Sequence, residues 1–160
     1  MAIGEDLFKE CLRRWTSGVT IVTSRLGDEI HGMTVSAFNS VSAEPPLVLV
    51  CANRKSKTHG MIAESGIFNV HVLAEGQGEL SNRFASTKLE GSRFDTIDYR
   101  MGELGAPIID GVLAALECKL VSMHEEGSHT IYIGHVEHCE IADAAPLVYY
   151  QGAYRQLSLG

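Results

Sequence analysis

Long apolar runs are absent from this sequence. No segment of the 160 residues approaches the roughly 20 consecutive apolar residues that a membrane-spanning helix needs. The first nine residues include Glu5 and Asp6 and lack the apolar centre of a secretory signal peptide. We therefore expect a protein that is neither inserted in a membrane nor exported, and we predict a cytoplasmic location.

Positive charge is also scarce, because 13 Lys and Arg residues stand against 20 Asp and Glu, for a formal net charge of −7. A phosphate backbone rewards a basic protein face, so this balance argues against nucleic acid as a partner. One local cluster departs from the general charge: Arg54, Lys55 and Lys57 fall within four residues.

Cysteine pairs and several enzyme motifs are missing as well. The four cysteines are far apart and form no CxxC pair: Cys11, Cys51, Cys118 and Cys139. They are expected to be free thiols, with a structural zinc site as the alternative. The seven histidines show no ligand spacing with a third partner, so no metal site is predicted. No GxSxG, HExxH, P-loop or GxGxxG segment occurs, which leaves hydrolytic chemistry and a Rossmann-type nicotinamide site without support.

The pattern that is present predicts one mainly β domain over residues 1–160. An amphipathic helix is expected over residues 4–15, with Trp15 as a core anchor. Strands are predicted over 19–24, 30–38, 47–52, 67–73 and 130–141, short helices over 58–65 and 79–85, turns at 26–29 and 125–128, and a last hairpin around Gln151 and Gly152. Many antiparallel strands with tight turns and short helices favour a closed or nearly closed barrel.

The stretch from residue 31 to residue 52 organises the rest of the chain. Its hydroxyl side chains are separated by even numbers of residues, so a continuous strand would place them on one face together with Phe38: Thr34, Ser36, Ser40 and Ser42. The apolar run 47–50 predicts a strand buried on both faces. If these two strands pair, the loop 53–58 lies at their ends and offers lysines, hydroxyls and a helix N-terminus to an anionic group. The alternative is that the hydroxyls face solvent and the lysines only solubilise.

His129 differs from the other histidines because it follows Gly127 and Ser128 at a predicted turn, directly before a long strand. Loops of this kind commonly carry functional residues. The sequence around His129 shows no carboxylate or thiol arrangement that would make it the base for a nucleophile, so contact with a ligand is a better prediction for His129 than proton transfer.

With these motifs in order, the chain resembles the short-chain flavin reductase family, FMN-binding split barrels that supply reduced flavin to two-component monooxygenases. The resemblance rests on four segments: TSGVTIVTS, GMTVSAFNSVSAEPPLVLVCANRKSKTH, GSHTIYIGHV and LVYYQGAYRQL. The third is similar to the family segment GDHxxxxG, which is implicated in nicotinamide binding. Ser128 stands where the family usually has Asp.

The resemblance implies an antiparallel Greek-key split barrel that forms a homodimer, and an NAD(P)H:flavin oxidoreductase activity. The cofactors implied are FMN or FAD and NADH or NADPH, and a monooxygenase component would receive the reduced flavin by diffusion. Hydride would pass from nicotinamide C4 to flavin N5, so the cofactors would hold the difficult chemistry.

The resemblance also assigns site residues. Those placed along the flavin are Thr34, Val35, Ser36, Ser40, Val41, Ser42, Cys51, Ala52 and Asn53. The phosphate would be held by Ser56, Lys57 and Thr58, while Phe84 and Ala85 would close over the flavin. His129, as the candidate catalytic residue, and Tyr154 would frame the nicotinamide side.

Three other functions remain open for such a chain. One is a split-barrel flavoprotein that acts as an electron carrier and does not release reduced flavin. Another is an amine oxidase similar to pyridoxamine phosphate oxidase, which the SAFNSVS segment disfavours. The third is a non-catalytic flavin-binding or small-molecule-binding module.

Overall fold

The structure is a computed structural model that describes residues 2–158, and antiparallel strands with short helices make up most of it. The helices are α1 (Glu5–Leu12), α2 (Lys57–Ser65) and α3 (Gly78–Ala85), and a short 3-10 helix spans Glu90–Ser92. The strands are β1 (Ser17–Gly18), β2 (Thr20–Leu26), β3 (Glu29–Val35), β4 (Phe38–Ser42), β5 (Leu47–Asn53), β6 (Ile67–Val72), β7 (Tyr99–Met101), β8 (Pro107–Ile109), β9 (Ala114–Glu126), β10 (His129–Ile141), β11 (Val148–Tyr150) and β12 (Ala153–Arg155). The predicted mainly β fold with short helices is confirmed.

The main sheet has seven antiparallel strands in the order β3-β2-β6-β9-β10-β5-β4. Three of its pairs are hairpins between consecutive strands: β2 with β3, β4 with β5, and β9 with β10. The first and the last of these hairpins have two-residue turns that begin at Gly27 and Gly127, whose φ angles are 60° and 58°. Glycine adopts this left-handed conformation without a side-chain clash, which explains the turns predicted at both places.

The single strand predicted over residues 30–38 is interrupted in the structure. The chain leaves β3 after Val35 and enters β4 at Phe38, so two residues interrupt the strand. Within the main sheet β3 pairs with β2, whereas β4 is the strand that pairs with β5. The prediction that one long strand pairs with residues 47–52 is therefore wrong, because only its second part, β4, pairs with β5. Thr34, Ser36, Ser40 and Ser42 do not lie along a single strand.

Ser36 and Ala37 join strands that form the two opposite edges of the sheet. Six strand spacings would separate those edges by about 29 Å in a flat sheet. Three peptide steps from Val35 to Phe38 span at most about 11 Å. The sheet must therefore curl strongly enough to bring β3 against β5. The backbone N–H of Cys51 donates to the Ala37 carbonyl at 3.0 Å, which extends the β4–β5 pairing into the junction.

Two apolar cores lie on opposite faces of β2, because neighbouring residues of a strand point to opposite sides. Val22 belongs to the first core, together with Val50, Phe68, Val70 and Tyr132. Ile21 belongs to the second core, together with Leu73, Phe84, Ile108 and Ile109. The second core packs beneath α3, which was predicted over residues 79–85, and β8, which was not predicted.

The first helix forms but ends at Leu12, three residues before its predicted end, and its apolar side is not covered. No residue of α1 is buried, and Leu7, Phe8 and Leu12 are each at least half exposed. Trp15 is 77% exposed, so the prediction that it anchors the core is wrong for the single chain. An amphipathic helix with an open apolar face gains little stability from packing.

His71 on β6 is completely buried and hydrogen-bonded at both ring nitrogens. The backbone N–H of Ile109 donates to Nε2 at 3.2 Å, so Nε2 carries the lone pair. Nδ1–H therefore donates to the Ile21 carbonyl at 2.9 Å. Burial lowers the pKa of His71 to about 4, because the charged ring would be desolvated, although the Ile21 carbonyl favours the protonated form.

Candidate functional site

The outer face of β5 forms the centre of the site. Its side chains alternate between buried and half-buried positions along the strand. Val48, Val50 and Ala52 point into the first core, whereas Leu49 and Cys51 remain half-buried on the other face. The prediction that this strand is buried on both faces is therefore wrong, and the open face provides an apolar floor for a ligand.

A cavity of about 490 Å³ lies at one end of this floor. Leu49 forms part of its wall, with Ser36, Ala37 and Phe38 from the junction between the edge strands, and Leu12 and Trp15 from the region of α1. Its volume falls within the range of small-molecule sites, roughly 300–1,000 Å³. The wall is mostly apolar, as expected for a site that holds a flat aromatic ring.

The loop over residues 53–58, called the basic loop because it contains Arg54, Lys55 and Lys57, lies beyond the other end of β5. The side-chain oxygen of Asn53 accepts from the Lys55 backbone N–H at 2.9 Å, which shapes the turn. Ser56 is the N-cap of α2, and its hydroxyl accepts from the His59 N–H at 3.1 Å. A helix N-terminus with basic side chains nearby favours an anion, because its first N–H groups have no partner within the helix.

The Thr58 side chain lies on the inner side of α2. Ser56 caps the helix, and the Thr58 side chain is completely buried. Its hydroxyl lies 2.6 Å from His31 Nδ1, on the inner side of the helix. A phosphate outside this loop could meet the Thr58 backbone but not its hydroxyl, so the role of Thr58 at a phosphate stays a prediction for its backbone N–H.

Lys57 is exposed at the first position of α2, and its ammonium nitrogen lies 3.0 Å from Glu29 Oε2. Arg54 forms a comparable ion pair with Glu125, at 3.2 Å, across the neighbouring turn. Both pairs are substantially exposed, and such pairs contribute little to stability. Either cation can therefore turn toward an anionic ligand at low cost.

Other predicted residues are divided between the core and the site. The side chains of Val35, Ala52 and Phe84 are buried, so only their backbones could approach a ligand from these positions. The Phe84 ring packs in the second core against Phe94, so closure of Phe84 over a flavin stays a prediction for its backbone. Ala85, at the end of α3, is exposed.

The hydroxyl residues fall into separate groups. Ser40, Val41 and Ser42 lie on β4, where a register shift occurs between Ser40 and Ser42. Thr34 lies on β3 and donates to the Ser81 carbonyl of α3 at 2.6 Å. The structure thus brings only Ser36 to the cavity at the junction between the two strands.

His129 and Tyr154 occupy different surroundings. His129 is the exposed first residue of β10, where it is the register partner of Asn53, and its Nδ1 lies 2.8 Å from Ser128 Oγ. The Tyr154 hydroxyl oxygen lies 2.8 Å from both Ser81 Oγ and Asn82 Oδ1 of α3, so it can donate to the Asn82 oxygen and accept from the Ser81 hydroxyl. His129 therefore groups with the basic loop, and Tyr154 groups with Thr34 through Ser81.

The GSHTIYIGHV segment contains residues with two different roles. Gly134 is buried at a register shift in β10, where an added Cβ would lie 2.4 Å from the Phe68 ring and 2.9 Å from the Cys118 Cβ. Its lack of a side chain therefore serves core packing. His129, at the exposed end of the same strand, is free to contact a ligand.

Electrostatics exclude a thiol mechanism at the half-buried strand. Burial raises the pKa of the Cys51 thiol, so it stays protonated at neutral pH and is a poor nucleophile.

Within residues 2–158, no three His, Cys, Asp or Glu side chains are grouped as metal ligands would be. None of the helices described is both long and apolar enough to cross a bilayer.

Sequence reasoning missed His31, which was considered only as one of seven histidines. It is 5% exposed on β3 and lies directly behind the basic loop. Its position between Ile30 and the buried Met33 gave no sign of a polar contact. The only sequence signal was its place next to the segment that carries the family resemblance.

Comparison with known proteins identifies the family of the chain. Residues 12–158 match the family described as Flavin reductase like domain. The chain is 40% identical over 154 residues to an NADH-dependent flavin reductase from Rhodococcus sp., covering 94% of this chain and 85% of that protein. It is also 40% identical over 154 residues to the reductase component of 4-hydroxyphenylacetate 3-monooxygenase from Thermus thermophilus, covering 96% of this chain and 97% of that protein.

A solved structure shares the fold over nearly the full chain. The NADH:FAD oxidoreductase SgcE6 of Streptomyces globisporus, in complex with NAD and FAD fragments, superposes with a TM-score of 0.88 at 34% identity. The match covers 99% of this chain and 98% of that one. The family match spans most of the sequence and both relatives exceed 30% identity, so the chain belongs to the flavin reductase-like domain family.

Proposed function

We propose that the protein is an NAD(P)H-dependent flavin reductase that reduces FMN or FAD and supplies the reduced flavin to a partner monooxygenase. The observation that carries the proposal is the open face of β5, which runs from a small-molecule cavity to a basic helix N-terminus. This arrangement suits a ligand with a flat apolar ring at one end and a phosphate at the other.

The residues present fit such a cofactor. Leu49, Ser36 and Ala37 offer an apolar wall with a hydroxyl and backbone groups for a heterocycle. Ser56 orders the first turn of α2, and Lys57 supplies a cation for the phosphate. The bound flavin and nicotinamide would supply the redox chemistry between them. The protein's part is to hold the rings in contact and exclude water.

His129 and Tyr154 are assigned to the nicotinamide side. His129 lies at the exposed tip of the β9–β10 hairpin and beside Asn53, so its ring can reach a ligand that covers the end of β5. The Tyr154 hydroxyl is held by contacts to Ser81 and Asn82 of α3. Neither residue is needed as an acid or base in this assignment.

The assembly proposed is a homodimer of split barrels, in the cytoplasm. The exposed apolar side of α1 supports it, because that face is at least half exposed in the single chain and also borders the cavity. A second copy that covers α1 would bury this face and close one side of the site. The closed Greek-key barrel belongs to the same proposal, supported by the strong curl of the sheet.

Steady-state oxidation of NADH and NADPH against riboflavin, FMN and FAD tests the function directly. A reductase should turn over many equivalents of added free flavin after dialysis has removed any bound flavin. A carrier should stay yellow and accept only stoichiometric electrons, and a binding module should oxidise neither nucleotide. Either of those results would reject the proposal.

Lys57→Ala is expected to weaken FMN binding about tenfold while leaving riboflavin binding unchanged, because riboflavin lacks the phosphate that the ammonium would bind. A charge-assisted hydrogen bond is worth roughly 1.5–3 kcal/mol, and exposure at this site places the effect near the lower bound. Lys55→Ala, which removes the same charge from the same loop, is the matched control. Fluorescence titration would contradict the phosphate assignment if both flavins lost affinity equally in Lys57→Ala.

His129→Ala should raise KM for NADH and slow flavin reduction, with oxidised flavin still bound normally. The loss of one good contact corresponds to roughly 5- to 30-fold in kcat/KM. His138→Ala, at an exposed position further along the same strand, should keep wild-type kinetics. Stopped-flow reduction of flavin by NADH measures the step, and unchanged rates and NADH dependence in folded His129→Ala would remove His129 from the nicotinamide site.

A further inference from the structure

A buried polar contact lies directly behind the basic loop. The His31 ring is 5% exposed, and Nδ1 lies 2.6 Å from the hydroxyl oxygen of Thr58, whose side chain is completely buried. Within the part of the chain described, this is the only hydrogen-bond partner of the Thr58 hydroxyl. The contact joins the edge strand β3 to the second residue of α2.

The other ring nitrogen fixes the direction of this hydrogen bond. His31 Nε2 lies 3.2 Å from Glu90 Oε1, within ion-pair distance but without the alignment of a hydrogen bond. A lone pair on Nε2 would face a carboxylate, so the neutral ring is better placed with its proton on Nε2. Nδ1 then carries the lone pair, and the Thr58 hydroxyl donates to it.

The charges around His31 are consistent with a neutral ring. Burial lowers its pKa first, and the Arg93 guanidinium adds to this effect, while Glu90 opposes it and Lys57 contributes a smaller lowering. Arg93 is itself buried and donates to the Gly32 carbonyl at 2.7 Å and to the Ser86 carbonyl at 2.9 Å. The ring is thus held between an anchored segment on one side and α2 on the other.

Thr58 is one residue from Lys57 and two from the N-cap Ser56. Its inward hydroxyl therefore sets how the first turn of α2 is oriented, and with it the free backbone N–H groups that face the loop. We propose that His31 is a positioning residue for the phosphate of the flavin, acting through the Thr58 hydroxyl on the first turn of α2. This inference rests on the proposed function, since it assigns the phosphate to that turn.

Two substitutions of His31 separate its two contacts. The Asn side chain places its carbonyl oxygen near the position of Nδ1, so His31→Asn can still accept from Thr58. The Gln side chain reaches the position of Nε2 instead, so His31→Gln keeps a polar group toward Glu90 but leaves the buried Thr58 hydroxyl without an acceptor. Thr58→Val removes the hydroxyl at nearly constant volume and provides an independent variant.

The dissociation constants of FMN and riboflavin are measured for each variant by flavin fluorescence, together with KM and kcat for both flavins. His31→Gln and Thr58→Val should raise the FMN dissociation constant and KM about tenfold, with riboflavin binding and kcat at saturating flavin unchanged. His31→Asn should stay within about twofold of wild type. Rescue by Asn and selectivity for FMN are effects that general loss of stability would not produce.

The positioning role is overturned if folded His31→Gln or Thr58→Val loses no FMN affinity, or if it loses affinity for both flavins equally. It is also overturned if His31→Asn is as impaired as His31→Gln. Failure of the proposed function looks different, because the wild type would then bind or reduce no flavin. A wild type that prefers FMN, with Lys57→Ala losing that preference and His31→Gln keeping it, rejects the positioning role alone.

Discussion

A variant with Leu7→Glu and Phe8→Glu should be a monomer with almost no reductase activity. Both side chains are at least half exposed on α1, and neither lines the cavity, so the substitution tests assembly and not direct contact with a ligand. Burying two carboxylates in an apolar interface should raise the dimer dissociation constant at least about a hundredfold, or about 3 kcal/mol.

The measurement is the molar mass by light scattering, followed by activity at the same protein concentration. The wild type should have twice the 17.4 kDa mass of the chain, and the variant should have the single mass. Asp6→Asn, on an exposed position of the same helix, should remain dimeric and active. A wild-type protein that is fully active as a monomer would refute the proposed assembly, as would an active monomeric variant.

Acid should destabilise the protein through His71, at pH values where most carboxylates are still ionised. The ring titrates near 6.5 in the unfolded chain and at about 4 in the folded one. Above pH 6.5 both states are neutral and the full stability is present. Between pH 6.5 and 4 only the unfolded state binds the proton, so the free energy of unfolding falls as pH falls, by about 3 kcal/mol in total.

Urea unfolding at pH 7.5 and at pH 5.0, at one protein concentration, measures the effect. The wild type should lose about 2 kcal/mol from His71 over this interval, and the lowered pKa of His31 adds a loss of the same sign. His71→Gln retains an acceptor for the Ile109 N–H and should be less stable at pH 7.5 but less sensitive to acid. His138→Gln, at an exposed position, should keep the wild-type sensitivity, and equal losses in His71→Gln and wild type would exclude His71 as the cause.

The sequence predicted correctly those turns and helix ends whose conformation depends on the residue at that position. Glycine predicted the turns at Gly27 and Gly127, and Gly66 ends α2 with a φ of 70°. The last hairpin around Gln151 and Gly152 was found in the same way. In each case a positive φ at or beside the turn makes the local sequence sufficient.

The prediction failed where distant parts of the chain decide the outcome. The alternating hydroxyls from Thr34 to Ser42 are as compatible with one continuous strand as with two separate strands. The break at Ser36 is explained only by the curl of the sheet, which places β3 and β4 at opposite edges. Trp15 looked like a core residue because periodicity shows that a helix has an apolar face but not what covers it. Thr58 turned inward because a histidine 27 positions away was there to accept from it.

The break at Ser36 and Ala37 has a consequence for folding and for dynamics. The β2–β3 and β4–β5 hairpins are local in sequence, yet they take opposite edges, and β5 docks on β10 across more than 70 intervening residues. Local hairpins form quickly, whereas closing long loops is slow. The junction, and the cavity beside it, is therefore completed late. Its amides, from Ser36 to Phe38, should exchange with solvent more readily than those of β6, and a ligand that spans the junction would slow that exchange by holding the two edges together.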